Sequence, residues 1–179
     1  MLILIVGMPS SGKTTAAKIF KEIGFSVAST GDVVREEIKN RGLAYTKETD
    51  RKTADWFHKK GRERIVINRL LDKLKGEKKV IEGLRDPKQI EELERRTGER
   101  PVLIAIKSSF ESRIKRELAK RRFEGITRED LEKRDRAELR LGEGELIEKA
   151  DFTIDNSSLT KEELRREVEK ILERIKRES

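Results

Sequence analysis

The chain has 179 residues, of which 44% are charged, and 43 Lys and Arg against 35 Asp and Glu give it a net charge of +8. Its length predicts one domain spanning residues 1–179, and the absence of cysteine excludes a disulfide framework or a thiolate metal centre. A charge of +8 permits RNA binding as well as a cleft for several phosphates. Because only 4% of the residues are aromatic and no RNA-binding signature is visible, we expect small phosphorylated ligands.

The apolar run Leu2–Val6 predicts a strand buried on both faces and leads directly into a glycine loop. The run is too short to span a membrane and does not resemble a signal peptide, so we expect a cytoplasmic protein. Apolar residues at helical spacing follow the loop, which matches GxxxxGK[ST]. The expected nucleotide-binding residues of this loop are Gly7, Met8, Pro9, Ser10, Ser11, Gly12, Lys13, Thr14 and Thr15.

The residue types of this loop predict that it binds a polyphosphate. Glycines let backbone N–H groups point inward, and the following helix presents its positive N-terminal end. Lys13 would reach the terminal phosphates, and the Thr14 hydroxyl would lie on a magnesium ion. We therefore expect ATP and Mg²⁺ as the ligands.

A second strand, predicted at Phe25–Ala28, delivers Asp32 to the edge where the carboxyl ends of parallel strands meet. A carboxylate at that edge can hold a magnesium-bound water or accept a proton from an attacking hydroxyl. Capping a helix over Val33–Asn40 is the alternative role of Asp32. The stretch Ala44–Lys75 predicts a helical excursion from the sheet. Within it we assign Trp56 to packing and give His58 no role.

The third strand, predicted at Lys78–Ile81, ends in two candidate site residues. Glu82 has the setting of a second acidic group near magnesium, and the guanidinium fork of Arg85 suits a phosphate. A fourth strand is predicted at Pro101–Ile106, followed by a helix that ends in a basic cluster around Arg121. That cluster is either a solvated face or a phosphate clamp.

A capping box at Thr127 starts a segment, residues 128–140, in which ten of thirteen residues are charged. With so few apolar positions we expect a mobile, ligand-facing lid without a firm anchor in the core. A fifth strand at Asp151–Ile154 brings Asn156 to its carboxyl end, near where a purine could lie. The chain closes with an amphipathic helix.

Three stretches resemble known nucleotide kinases. The run STGDVVR at residues 29–35 resembles the acceptor-side motif of adenylate kinases, and EGLR at residues 82–85 with Gln89 is similar to their acidic motif with its later glutamine. The run ADFTIDN at residues 150–156 is closer to dephospho-coenzyme A kinases. Over the whole chain the combination most resembles the archaeal adenylate-kinase-related, dephospho-coenzyme A kinase-like family within the P-loop nucleoside monophosphate kinase superfamily.

The resemblance implies a three-layer α/β/α fold with a five-stranded parallel sheet in the order 2-3-1-4-5. It also implies a helical acceptor-binding insert at about residues 31–75 and a short lid at about residues 122–142. The residues that it implies for acceptor binding are Thr30, Arg35, Arg85 and Gln89. Asp32 and Glu82 would order magnesium waters beside Thr14, and the lid arginines Arg121, Arg128 or Arg134 would close on the transferring phosphates.

The expected activity is transfer of the ATP γ-phosphate to a nucleotide-like acceptor, with AMP as the first candidate. Lys13, Arg85 and Asp32 are the expected catalytic residues. Two alternatives stay open. One is a kinase for dephospho-coenzyme A or another hydroxyl compound, with Asp32 as base, and the other is a nucleotide-dependent switch that binds RNA or a protein and hydrolyses ATP slowly.

Overall fold

The computed structural model describes residues 1–59, 61–119 and 126–178. At its centre lies a five-stranded sheet in the order β2-β3-β1-β4-β5, and the pairs of neighbouring strands are parallel, which confirms the expected topology. The strands are β1 Leu2–Val6, β2 Ser26–Ser29, β3 Lys79–Glu82, β4 Val102–Lys107 and β5 Phe152–Asp155.

Nine helices connect and cover these strands within the described residues. They are α1 Lys13–Glu22, α2 Thr30–Asn40, α3 Lys47–Phe57, α4 Glu63–Leu71, α5 Pro87–Thr97, α6 Phe110–Ala119, α7 Arg128–Leu141, α8 Glu143–Glu148 and α9 Lys161–Glu178. The predicted helical excursion is thus two helices, α3 and α4, separated near Gly61, whose φ is +85°. No helix among the described residues is both long and apolar enough to cross a lipid bilayer.

Strand β1 is central because all five of its residues are apolar and buried, as both faces of a parallel sheet require. Ile5 is opposite Glu82 of β3 on one side and Ile104 of β4 on the other. This register brings the glycine loop after β1 to the same sheet edge as Glu82 and the residues that follow it.

The sheet separates two hydrophobic cores, which gives the three layers that the family resemblance implied. On one face, residues such as Leu4 and Ile81 pack with Val33 of α2, Leu93 of α5 and Leu146 of α8. On the other face, the packing residues from the strands and from helices α1 and α9 include Ile5, Phe20, Val168 and Leu172. Burial of these apolar side chains is the main favourable term in folding.

Helix α2 begins earlier than the sequence predicted. The hydroxyl of Ser29 accepts a hydrogen bond from the backbone N–H of Gly31 at 3.1 Å, so Ser29 is the N-cap and Asp32 lies in the first helical turn. The alternative role of Asp32 as helix cap is therefore wrong. Ser29 takes that role because its hydroxyl also donates to Glu82 at 3.0 Å, which fixes it at the end of β2.

The expectation that residues 128–140 lack a firm anchor is also wrong. Leu131 is only 1% exposed. The guanidinium of Arg113 on α6 binds both carboxylate oxygens of Asp135 on α7, at 2.8 and 2.6 Å. Arg134 donates to the buried carboxylate of Glu117 at 2.9 Å. Charged side chains thus anchor α7 to α6 together with the buried Leu131.

Candidate nucleotide and acceptor site

The glycine loop has a backbone that only glycine accommodates at two positions. Gly7 and Gly12 have φ angles of +146° and +114°. A Cβ at Gly7 would overlap the carbonyl oxygen of Ile106, and one at Gly12 would overlap the side-chain nitrogen of Asn156. The loop leads into α1, whose first backbone N–H groups have no partner within the helix and so form an anion site.

Asn156 supports the loop from the end of β5. Its side-chain nitrogen donates to the carbonyl oxygen of Ser11 at 2.7 Å, and the residue is buried. Arg116 of α6 donates to the same carbonyl at 3.1 Å and also binds the carbonyl of Asn156. The structure therefore gives Asn156 a supporting contact with the loop, and contact with a purine stays a prediction.

Helix α6 holds the other side of the loop. Arg113 donates to the carbonyl oxygen of Pro9 at 3.1 Å, and the hydroxyl of Ser10 donates to the carboxylate of Glu117. Both α6 side chains are at least nine-tenths buried and also bind α7. The phosphate loop and α7 are thus connected through the same two residues of α6.

Lys13 lies beside a buried carboxylate that the sequence analysis missed. Its ammonium donates to the carbonyls of Gly7 and Met8. Burial lowers the pKa of Lys13, and the nearby charge of Glu143 opposes that shift. Glu143 is 1% exposed, accepts a hydrogen bond from the N–H of Gly7 at 2.5 Å, and has its own pKa raised by burial. The ammonium and this carboxylate partly neutralise each other beneath the loop.

Thr14 and Glu82 form the part of the site that could hold a metal. The Thr14 hydroxyl is 3.1 Å from the nearer carboxylate oxygen of Glu82, and Thr14 is exposed to solvent. Hydroxyl and carboxylate oxygens are the donors that Mg²⁺ prefers, so these residues fit the ion. Among the described residues no cluster of three or more His, Cys, Asp or Glu could hold a metal. Phosphate oxygens and water would have to complete the coordination.

A cavity of about 390 Å³ lies between helices α2, α3 and α4 on one side and α7 on the other. Three of the four predicted acceptor residues line it, namely Thr30, Arg85 and Gln89. The Thr30 hydroxyl donates to the carbonyl of Gly83 at 2.9 Å, and the side chain of Gln89 accepts from the N–H of Arg85 at 3.3 Å. The volume is in the range of small-molecule sites.

The remaining predicted residues are placed differently. Arg35 and Asp32 pair with each other at 2.6 Å and do not line the cavity, and their side chains are about half exposed. Arg134 lines the cavity, whereas Arg128 pairs with Glu111 at the surface. Arg121 lies outside the described residues. Catalytic and metal roles for Asp32 and acceptor binding by Arg35 stay predictions.

Two further cavity residues were given no role from the sequence. Glu138 of α7 forms an ion pair with Arg85 at 2.9 Å and is buried. His58, at the end of α3, has its pKa lowered by burial and then by the charge of Arg85. Glu138 lies seven residues after the buried Leu131, which is the spacing of one helix face, and this was the only signal in the sequence.

Comparison with known proteins agrees with this geometry. Residues 6–140 match a family model described as an AAA domain. The shikimate kinase of Acinetobacter baumannii, solved in complex with shikimate, superposes with a TM-score of 0.64 at 20% identity, covering 99% of this chain and 94% of that one. The shikimate kinase of Aquifex aeolicus gives 0.59 at 21% identity, with 97% and 96% covered. At such identities the likeness shows the fold.

The glycine loop, the sheet order and the structural neighbours together define a P-loop protein with a kinase-like fold. A UPF0200 protein of Pyrobaculum aerophilum is 36% identical over 173 residues, which is 96% of each chain. One of Pyrococcus horikoshii is 36% identical over 186 residues, covering 98% of this chain and 97% of that protein. The chain belongs to the UPF0200 family. It spans 50% of the length of a UPF0200/UPF0201 protein of Archaeoglobus fulgidus, to which it is 36% identical.

Proposed function

We propose that this protein transfers the γ-phosphoryl group of ATP to a small nucleotide-like acceptor, with AMP as the first candidate. The observation that carries the proposal is the cavity, because it is lined by Arg85, Gln89 and Thr30, and Arg85 is near enough to Lys13 to lower the pKa of that lysine. A phosphate site at the loop and an acceptor site beside it are what a transferase needs, whereas a hydrolase or switch needs only the first.

On the nucleotide side, each residue has a distinct task. Magnesium, when bound with ATP, would neutralise charge on the phosphates as the phosphoryl group is transferred. Thr14 and Glu82 would hold that ion and its waters. Lys13 would exchange the carbonyls of Gly7 and Met8, which it binds here, for phosphate oxygens. The exchange is favourable because a phosphate is a stronger partner for an ammonium than a neutral carbonyl.

On the acceptor side, Arg85 would bind the acceptor phosphate. Gln89 and Thr30 keep the Arg85 loop in place, since one accepts from its backbone and the other donates to the carbonyl of Gly83. Catalysis would then be chiefly positioning and electrostatic stabilisation, with α7 covering the cavity and limiting the access of water.

A second candidate is a kinase for dephospho-coenzyme A or another hydroxyl compound. It is favoured by the charge of the cavity wall, because the described residues that line it include as many acidic as basic side chains and so give no net excess to attract a phosphate. The basic residues are Lys47, Arg51, Arg85, Lys133 and Arg134, and the acidic ones are Asp50, Asp55, Glu117, Asp130 and Glu138. The structural neighbours titled shikimate kinase are consistent with this candidate.

The test is a measurement of ADP formation from ATP and Mg²⁺ with AMP, CMP, other nucleotides and dephospho-coenzyme A as acceptors. We expect AMP to stimulate ADP formation, and we expect Lys13→Ala to lower it by at least about a hundredfold, the loss seen when one donor to a transition-state charge is removed. Circular dichroism controls for folding. Full turnover by a folded Lys13→Ala variant would refute the nucleotide site, and stimulation by dephospho-coenzyme A alone would select the second candidate.

A further inference from the structure

We propose that Glu138 is a specificity-determining residue that occupies Arg85 in place of the acceptor phosphate, so that an acceptor binds only by displacing it. The inference rests on the proposed function, because it takes Arg85 as the residue that receives the acceptor phosphate. Its structural basis is a carboxylate of the chain itself, bound to that guanidinium within the cavity.

The position of Glu138 resembles that of a bound anion. It projects from α7 into the cavity, its side chain is 8% exposed, and one of its oxygens lies 2.9 Å from Nη1 of Arg85. A carboxylate and a phosphate oxygen make the same charge-assisted contact with a guanidinium. An acceptor phosphate and Glu138 therefore compete for one side chain.

The pairing of Glu138 is incomplete, which makes it exchangeable. Its second carboxylate oxygen is buried and has no hydrogen-bond partner among the described residues. Asp135, three residues earlier on the same helix, is by contrast bound through both oxygens by Arg113. A buried oxygen without a partner is unfavourable, so Glu138 gains less from its contact than Asp135 does.

A second carboxylate nearby further weakens the Glu138 contact. Burial is the largest cause of the raised pKa of Glu143, and the charge of Glu138 adds to it, so the two acidic groups repel each other. The positive charges of Lys13 and Arg85 partly offset this repulsion, since both lower the pKa of Glu143. Moving Glu138 toward water would relieve the repulsion and free Arg85 for a doubly charged phosphate.

This exchange has a consequence for α7. The helix is bound to α6 through Asp135 and to the Arg85 loop through Glu138. Its end is close to Pro87, because a Cβ added at Gly142 would lie only 2.5 Å from Cδ of that proline. Acceptor binding would remove the contact at Glu138 and leave the one at Asp135. An anion that cannot replace the carboxylate would not enter the site.

The test is calorimetric measurement of AMP affinity for the full chain and four variants. We expect Glu138→Gln to bind AMP about tenfold more tightly than the unchanged protein, the scale of one net charge-assisted contact. Asp55→Asn is the matched control, because it removes the same charge from the cavity wall at an exposed position on α3. In an Arg85→Gln background, Glu138→Gln should give no gain.

Glu138→Ala, checked by thermal melting, provides a second variant if the glutamine form does not fold. Equal AMP affinity in the unchanged protein and the Glu138 variants would overturn the inference, as would an equal gain from Asp55→Asn, a gain that persists without Arg85, or no AMP binding by any variant. These outcomes are separate from failure of the proposed activity, since ADP formation stimulated by AMP would persist in the unchanged protein if only the exchange at Arg85 were wrong.

Discussion

Arg113 and Arg128 are two of the arginines that join α6 to α7, and replacing each by methionine tests how α7 is anchored. Arg113 binds both oxygens of Asp135 at 2.8 and 2.6 Å, and the two side chains are 7% and 14% exposed. Arg128 binds both oxygens of Glu111 at 2.9 and 2.8 Å, but these side chains are 52% and 67% exposed. Both guanidiniums lie over the ring of Phe110. Both guanidiniums thus contact two carboxylate oxygens, Arg113 through both of its terminal nitrogens and Arg128 through Nη2 alone, and the pairs differ strongly in burial.

Arg113→Met leaves the carboxylate of Asp135, which is only 14% exposed, without its counter-ion, a change that costs about 3–5 kcal/mol in the free energy of unfolding. Arg128→Met should cost about 1 kcal/mol or less, as exposed pairs do. For a chain of this size about 1 kcal/mol shifts the melting temperature by roughly 2–4 °C, so Arg113→Met should lower it by roughly 6–20 °C. Because Arg113 also holds the carbonyl of Pro9, ATP affinity should fall in that variant alone.

The assay is urea unfolding followed by circular dichroism, together with calorimetric titration of ATP. Adding Asp135→Leu to Arg113→Met should recover much of the lost stability, because two apolar side chains can replace a buried ion pair. If both methionine variants were within about 1 kcal/mol of each other, the large difference expected between buried and exposed pairs would be absent, and the reasoning would be refuted.

Two further predictions concern the glycine loop and the start of α7. A Cβ at Gly12 would overlap the side chain of Asn156 and so displace the glycine loop. Since a displacement of about 1 Å can cost about a hundredfold in rate, Gly12→Ala should lower ATP-dependent ADP formation by about a hundredfold or more. Gly24→Ala, with φ at +95° and no atom within 4 Å of its Cβ, should cost only about 1–2 kcal/mol of stability, and equal turnover in the two variants would contradict the assignment. A hydrogen bond from the side chain of Lys47, and to a smaller extent one from the backbone of Thr127, lowers the pKa of Asp130 to about 2, below its ordinary value near 3.8. Its carboxylate therefore stabilises the fold above about pH 4 and loses that contribution toward pH 2. The difference in melting temperature between the unchanged protein and Asp130→Asn should be full at pH 6 and shrink between pH 4 and pH 2, and a constant difference would show that the ion pair does not matter.

The parts of the site whose structure depends on residues adjacent in the sequence could be predicted from the sequence. The apolar run Leu2–Val6 and the glycine pattern that follows it encode a strand and a turn through local backbone preferences alone. The capping box at Thr127 is equally local, and the structure has it. Thr14 meets Glu82 because parallel strands end at one edge, so the topology implied their proximity.

The start of α2 was harder to predict. Ser29 and Asp32 are both favourable N-cap residues, so the local sequence is compatible with two helix starts three residues apart. What decides between them is a contact across the sheet, from Ser29 to Glu82 of β3. A distant partner of this kind leaves no local signal.

For the same reason, the sequence could not predict which charged residues of α7 are buried. A run of Arg, Asp and Glu has the same composition whether it faces water or an equally charged neighbour. Only the packing of α6 against α7 distinguishes Asp135, which meets Arg113, from the exposed Glu129, which pairs with Lys133. Burial of Glu138 and Glu143 depends likewise on tertiary contacts.

The sheet separates the hydrophobic core on the cavity side from the hydrophobic core on the opposite face. None of the described cavity-lining residues comes from α1, α9 or β5, whose apolar side chains, such as Phe20 and Leu172, form the core on the opposite face. Substitutions that improve packing in that opposite core can raise the melting temperature without changing the shape of the cavity. The residues that line the cavity can in turn be changed to bind other small molecules, while the core on the opposite face maintains the stability of the fold.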